Sequence, residues 1–166
     1  MTIDRRNRHV LMVVEDEDDL RELICVHLEA AGYACVQVAN GKDVLELVRT
    51  DVPELIILDR MLPKLSGDDC LVRLKRDPLT AGIPVIMLTA MADETDQVLG
   101  FVLGADDYIT KPFSMKLLAV RVEAVLDNPR ANKIVRPRSS AMSRIRVHFK
   151  DPGISPVFAC KTAAGP

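Results

Sequence analysis

Residues 55–59 read LIILD, four apolar residues followed by a carboxylate. A short, continuous apolar run predicts a β-strand that is buried on both faces of a sheet. Four further runs have the length of a strand, namely HVLMVV at 9–14, ACVQV at 34–38, VIML at 85–88 and DYIT at 107–110. The sequence therefore predicts five short strands, and the central ones lack an exposed face.

The segments between and after these strands have the apolar spacing of helices. Apolar residues recur at helical intervals over residues 20–31, and Gly32 stands just past them, where a helix typically ends. The five helices predicted in this way cover residues 18–31, 42–49, 68–76, 93–103 and 115–126. Strands that alternate with helices predict an α/β fold with a doubly wound, flavodoxin-like parallel sheet of five strands in the order 2-1-3-4-5.

The charge of the chain changes sign near residue 127. Residues 1–127 carry 14 basic and 23 acidic residues, whereas residues 128–166 carry eight basic residues and one acid. The second segment also holds five of the ten prolines and no sustained apolar period. We therefore predict a domain over residues 8–127, followed at 128–166 by a basic, proline-rich tail that is disordered or is the remnant of a truncated effector domain.

Composition excludes several classes of protein. No segment approaches the roughly 20 apolar residues of a membrane span, and residues 1–9 are too polar for a signal peptide. We therefore expect a cytoplasmic protein without a membrane partner. The four cysteines and three histidines are scattered without the spacing of metal ligands, so we expect no zinc site.

Polar residues follow the predicted strands at the points where the strands end. Glu15 and Asp16 follow the first strand, Asp59 the third, Thr89 the fourth and Lys111 the fifth. In an open parallel sheet these strand ends meet at one edge, where ligands bind. Each residue alone has an ordinary explanation, such as an acidic helix start, a turn or a loop lysine, but together they predict a single site.

The residue types of this site suit phosphoryl chemistry. Clustered carboxylates repel one another unless a cation lies among them, and hard oxygen ligands favour Mg²⁺. Asp59 could attack phosphorus as a nucleophile and form an acyl phosphate. Lys111 and the hydroxyl of Thr89 could then interact with the phosphoryl oxygens.

Four segments carry a resemblance to a known family. They are VLMVVEDEDDLREL at 10–23, LIILDRMLPKLSG at 55–67, IPVIMLTAMADE at 83–94 and LGADDYITKPF at 103–113. In this order and at these separations they resemble the receiver domains of two-component response regulators, and the OmpR/PhoB subfamily in particular.

The resemblance implies a role for each residue that matches the family pattern. Asp59 is similar to the phosphoacceptor, which takes a phosphoryl group from a sensor histidine kinase or a phosphotransfer protein. The resemblance further implies that Mg²⁺ or Mn²⁺ is bound by Glu15, Asp16, Asp59 and the backbone carbonyl of Met61. It implies phosphate binding and switching by Thr89, Lys111 and Tyr108. It also implies a cis peptide between Lys111 and Pro112.

The sequence also departs from the subfamily. The resemblance implies a homodimer through the predicted helix 93–103, the strand 107–110 and the helix 115–126, but Leu117 stands where Glu is usual, and Gln97 and Glu123 stand where basic residues are common. This puts the dimer in doubt. Arg60 stands where the family usually has an aliphatic residue, and strand alternation predicts that its side chain points away from Asp59.

Three functions remain open on the sequence. The first is a Mg²⁺-dependent phosphoacceptor switch in a phosphorelay, which is no turnover enzyme and shows only slow self-phosphorylation and self-dephosphorylation. The alternative is a DNA-binding transcriptional regulator that has lost or truncated its winged helix; without such a domain we do not expect DNA binding, although the basic tail could contact phosphates. The third is a phosphatase, for which Met61 stands where a second catalytic carboxylate is expected.

Overall fold

The computed structural model describes residues 8–90 and 103–128. These residues form five strands and four helices, and each lies within one or two residues of its predicted position. The strands are β1 (Val10–Val14), β2 (Ala34–Val38), β3 (Leu55–Asp59), β4 (Val85–Thr89) and β5 (Asp107–Thr110), and the helices are α1 (Asp18–Ala30), α2 (Gly41–Thr50), α3 (Gly67–Arg76) and α4 (Met115–Leu126). The predicted helix at 93–103, apart from its last residue, and the tail after Asn128 lie outside the described residues.

The strands form one parallel sheet in the order β2-β1-β3-β4-β5. Val13 pairs in register with Ile57, and Leu58 pairs with Met87, so β1, β3 and β4 lie side by side at the centre. The predicted topology is thereby confirmed. Because all strands run in one direction, β1, β3 and β4 bring their final residues to the same edge of the sheet.

Two apolar layers cover the two faces of the sheet. Alternate residues of each strand face opposite sides, so that Leu11 belongs to one layer and its neighbour Met12 to the other. Helices α1 and α4 cover the first layer, with Ile24 and Val122 among the residues that they bury. Helices α2 and α3 cover the second. The central strands are therefore buried on both sides, as their unbroken apolar sequence predicts.

Side-chain caps determine where three of the helices begin. The side chains of Asn40, Ser66 and Ser114 each accept a hydrogen bond from the backbone N–H three residues later, at 3.1 Å. The caps at Asn40 and Ser66 start α2 and α3 at Gly41 and Gly67, one residue earlier than predicted, because the glycines are already in helical conformation.

A lysine fixes the opposite edge of the sheet, where β4 begins. The Lys75 ammonium group donates to the Ile83 carbonyl at 2.8 Å and to Asp106 Oδ2 at 3.2 Å. The same Asp106 oxygen accepts the backbone N–H of Val85 at 2.8 Å. These contacts join α3, β4 and the loop before β5 at the end remote from the strand-end carboxylates.

No helix among the residues that the structure describes could cross a membrane.

The surface implied for a homodimer is described only in part. Strand β5 lies at an edge of the sheet, and Arg121 of α4 pairs with Asp107 of β5 at 3.2 Å within the same chain. Leu117, beside them on α4, is 42% exposed. The third element of that surface, the predicted helix at 93–103, lies outside the described residues, so the dimer stays a prediction.

Candidate functional site

Asp59 is the last residue of β3, and its side chain is held at the carboxyl edge of the sheet. The residue is 4% exposed. One carboxylate oxygen, Oδ2, accepts a hydrogen bond from the Lys111 ammonium group at 2.8 Å. The other, Oδ1, accepts one from the Met61 backbone N–H at 3.1 Å. Strand and loop together therefore hold the carboxylate in one orientation.

Glu15 follows β1 directly and lies deeper still, at 1% exposure. Its backbone N–H donates to the Val38 carbonyl at 3.1 Å, and its own carbonyl accepts from the Arg21 guanidinium at 2.7 Å. The Glu15 carboxylate accepts a hydrogen bond from Lys111 at 2.7 Å, so one ammonium group joins two buried carboxylates. Neighbouring Asp16 is exposed.

The electrostatics of this cluster follow from its burial. The pKa of Glu15 is raised to about 7, chiefly because burial removes water from the carboxylate; the hydrogen bond from Lys111 opposes the rise, and the charge of Asp59 adds to it. Burial alone would lower the pKa of Lys111, but its hydrogen bonds to Asp59 and Glu15 outweigh that effect and raise it. Lys111 is therefore a firmly charged cation at neutral pH.

The carboxylates fit a divalent metal ion. Glu15, Asp16 and Asp59 each offer an oxygen, and these oxygens all lie within 4.8 Å of one another. Three anionic oxygen ligands at a pocket that is partly open to water are the donor set of a hard cation such as Mg²⁺. The backbone of Met61 is anchored next to Asp59 by its N–H, but its carbonyl as a fourth ligand stays a prediction.

The pH dependence of the free energy of unfolding should reveal the raised pKa of the buried Glu15. With divalent cations chelated, we expect the free energy of unfolding to fall as the pH rises from about 5 to 7. The folded Glu15 has a pKa near 7 and the unfolded one near 4.5, so the folded state holds more protons in that window. The expected loss is about 1–2 kcal/mol, measured by urea denaturation at each pH.

The control for this measurement is Glu15→Gln, which keeps the shape of the side chain and removes its titration. The difference between the two unfolding curves isolates the contribution of Glu15 from that of every other titrating group. Equal pH slopes for the two proteins would contradict a raised Glu15 pKa.

Thr89 and Tyr108 lie on the two strands beyond β3. Thr89 ends β4, one residue after the register partner of Asp59, and its side chain is buried. Tyr108 of β5 packs against the layer under α2 and α3. The pKa of its phenol is raised to about 12, chiefly by burial; the charge of Asp68 contributes to the rise, and that of Arg60 opposes it. The sequence therefore placed both residues on the correct strands.

The peptide between Lys111 and Pro112 is cis, as the resemblance implied. The Lys111 backbone N–H donates to the Thr89 carbonyl at 2.7 Å, which ties the loop after β5 to the end of β4. The ammonium group of the same residue reaches Asp59 and Glu15. Lys111 thus joins three strand ends, and the structure brings it together with the two buried carboxylates.

Gly67 is a site residue that the sequence reasoning missed. Its N–H donates to the Arg60 carbonyl at 2.9 Å, and a Cβ at this position would lie 2.2 Å from the backbone oxygen of Asp59. The first turn of α3 therefore rests directly on the backbone of the strand end. A glycine before an apolar helix suggested only a loop, because the contact depends on how α3 packs across β3.

The fold and the site define a class of protein: an α/β domain whose parallel sheet carries buried carboxylates and a lysine at its carboxyl edge. The chain belongs to the response regulator receiver domain family, which it matches over residues 11–123.

Comparison with individual proteins supports the same family. The chain is 48% identical over 116 residues to the phosphate regulon transcriptional regulatory protein PhoB of Pseudomonas aeruginosa, and 42% identical over 129 residues to the alkaline phosphatase synthesis transcriptional regulatory protein PhoP of Bacillus subtilis. These matches cover 70% and 78% of this chain, and 51% and 52% of the relatives. The chain thus spans about half the length of the curated relatives.

Solved structures show the same likeness. A putative response regulator from Chloroflexus aurantiacus matches with a TM-score of 0.70 and 35% identity, over 73% of this chain and 99% of that one. The receiver domain of a sensor histidine kinase from Pseudomonas aeruginosa, with a magnesium ion coordinated in its active-site cleft, matches with a TM-score of 0.67 and 25% identity, over 73% of this chain and 99% of that one.

Proposed function

We propose that this domain accepts a phosphoryl group on Asp59 from a histidine of a sensor kinase or a phosphotransfer protein, and that Mg²⁺ or Mn²⁺ is required. The observation that carries the proposal is the position of the Asp59 carboxylate, which is buried, oriented by Met61 and bonded to the Lys111 ammonium group. In the transfer, an Asp59 oxygen forms a bond to phosphorus while the bond from phosphorus to the donor nitrogen breaks.

The residues around Asp59 have separate tasks in this reaction. A metal ion held by Glu15, Asp16 and Asp59 would offset negative charge on the phosphoryl group. Lys111 is already in place, so its charge can stabilise the phosphoryl oxygens without a rearrangement of the loop. Thr89 ends the neighbouring strand, from which its hydroxyl would donate to a phosphoryl oxygen.

The output of the domain is a change of conformation and not turnover of a substrate. A phosphatase on this scaffold would need a second acid or base near the nucleophile. At that position Met61 presents an apolar side chain that is 73% exposed. We therefore expect only slow self-phosphorylation and self-dephosphorylation, and fast multiple turnover of phosphomonoesters would contradict this function.

The experiment that tests the proposal is intact-mass spectrometry after incubation with acetyl phosphate and Mg²⁺. We expect a single phosphoryl addition to the wild type, and none when the metal is chelated or when Asp59 is replaced by Asn. The matched control is Asp127→Asn, the same change at an exposed residue that directly follows α4. An addition that persists in Asp59→Asn, or no addition to the wild type with any donor and metal, would overturn the proposal.

DNA binding is the second candidate function, and two observations favour it. The curated relatives are named as transcriptional regulatory proteins, and residues 128–166 are strongly basic. The test is retention on DNA against salt concentration, for the full chain and for a variant in which Arg144, Arg146 and Lys150 are replaced by Gln. Loss of three phosphate contacts would flatten the salt dependence, and identical retention would exclude a role for these residues.

A further inference from the structure

Arg60 is attached to the start of α3 in two ways. Its carbonyl accepts the Gly67 N–H at 2.9 Å, and its side chain Nε donates to Asp68 Oδ2, also at 2.9 Å. Both members of the ion pair are partly shielded from water, with side chains 22% and 33% exposed. Asp68 lies in the first turn of its helix, where a negative charge is favourable. The pair therefore spans the gap between the residue after Asp59 and α3.

Tyr108 lies on the same side of the sheet as this ion pair. It pairs in register with Met87 and packs against the layer that α2 and α3 cover, and its hydroxyl oxygen is buried. The charges of Asp68 and Arg60 both act on its phenol, in opposite directions. Arg60 stands two residues after Leu58, the register partner of Met87, so strand alternation turns its side chain to the same side of the sheet as Tyr108. With its hydroxyl oxygen buried, Tyr108 is in what we call its inward position.

We propose that Arg60 is a positioning residue, which holds the Asp68 side chain on the side of the sheet where Tyr108 lies and so stabilises the inward position of this tyrosine before phosphorylation. The functional meaning of that position rests on the proposed function, in which Tyr108 is part of the switch. Without the guanidinium group, the Asp68 carboxylate turns to the solvent, because a partly exposed anion is better hydrated there. The space beside the phenol then opens to water.

The composition of the chain allows this to be measured on one residue. The protein has two tyrosines and no tryptophan, so Tyr33→Phe leaves Tyr108 as the only strong intrinsic fluorophore. We would compare acrylamide quenching of Tyr108 in that background with quenching after the further change Arg60→Met, which keeps the length of the side chain and removes its charge. The full chain is used throughout, without phosphate and then after treatment with acetyl phosphate and Mg²⁺.

In the unphosphorylated protein we expect Arg60→Met to raise the quenching constant roughly threefold, the size of population shift that one partly shielded ion pair can produce. Arg60→Lys should restore part of the protection, since it keeps the charge but not the planar fork. The control is Arg49→Met. This change removes a different ion pair, in which Arg49 lies 3.4 Å from Asp77, the residue that follows α3. This control should leave the quenching unchanged.

A purely structural role for the pair predicts a different result. In that case Arg60→Met lowers stability towards urea and leaves Tyr108 quenching equal to that of the parent, which would overturn the proposal. Quenching that rises equally in Arg49→Met would overturn it as well. The quenching comparison in the unphosphorylated protein does not depend on phosphoryl transfer. Intact-mass spectrometry measures that transfer separately. Failure of the proposed function and failure of this inference are therefore distinguishable.

Discussion

Replacing Gly67 with alanine is expected to lower the free energy of unfolding by about 3 kcal/mol or more, at the upper end of what overpacking costs. The added Cβ would lie 2.2 Å from the Asp59 oxygen and 2.7 Å from the Arg60 Cα. Both are backbone atoms of a buried strand end, so neither can rotate away as a side chain could. Helix α3 must shift, and with it the peptide that carries Asp59.

Urea denaturation of the metal-free protein measures this effect, and Gly32→Ala is its control. Gly32 has a φ of 96° and open space around its missing Cβ, so that change costs only the backbone strain of a left-handed alanine, about 1 kcal/mol. We expect the Gly67 variant also to accept phosphoryl groups more slowly, because Asp59 moves. Equal losses of stability in the two variants would contradict this expectation, because they would mean that α3 can move away from β3 at little cost.

Replacing Lys111 with methionine is expected to destabilise the metal-free protein by about 2–3 kcal/mol at pH 8, because two buried carboxylates lose the ammonium group that joins them. The loss should be smaller at pH 5, where Glu15, with a pKa of about 7, is mostly protonated. Added Mg²⁺ should restore part of the stability by replacing the missing charge. Phosphoryl addition should slow by about 100-fold.

Lys75→Met is the matched control for this experiment. Lys75 is also partly buried and also bonded to an aspartate, but at the opposite edge of the sheet. Its loss should destabilise the protein equally at pH 5 and pH 8, without rescue by Mg²⁺ and with the rate of phosphoryl addition retained. If Mg²⁺ stabilised both variants to the same extent, its effect would not come from the strand-end carboxylates.

The fold was predictable because the strands carry their own signal. The runs at β1, β3 and β4 are apolar on both faces, which is typical of a parallel sheet covered on both sides. The ends of elements were less predictable. Asp59 and Thr89 extend β3 and β4 by one residue, since backbone pairing with Leu88 and Thr110 continues after the side chains become polar.

The site was predictable where it depends on strand ends and not where it depends on helix packing. Glu15, Asp59 and Lys111 meet because parallel strands bring their final residues to one edge. The partner of Arg60 was not predictable, because strand alternation says only that its side chain points away from Asp59. Its pairing with Asp68 follows from the place where α3 crosses the strand end, and no local pattern encodes that crossing.

The separation of the interior into two layers also affects how the sequence can change. The layer under α1 and α4 and the layer under α2 and α3 share only the backbone of the sheet. Substitutions such as Ile24→Val in one layer and Leu71→Ala in the other have no common neighbours among side chains, so their costs should add. Mutations in the layer of α1 and α4 therefore need no compensating changes beside Tyr108, and the two halves of the interior can change independently of each other.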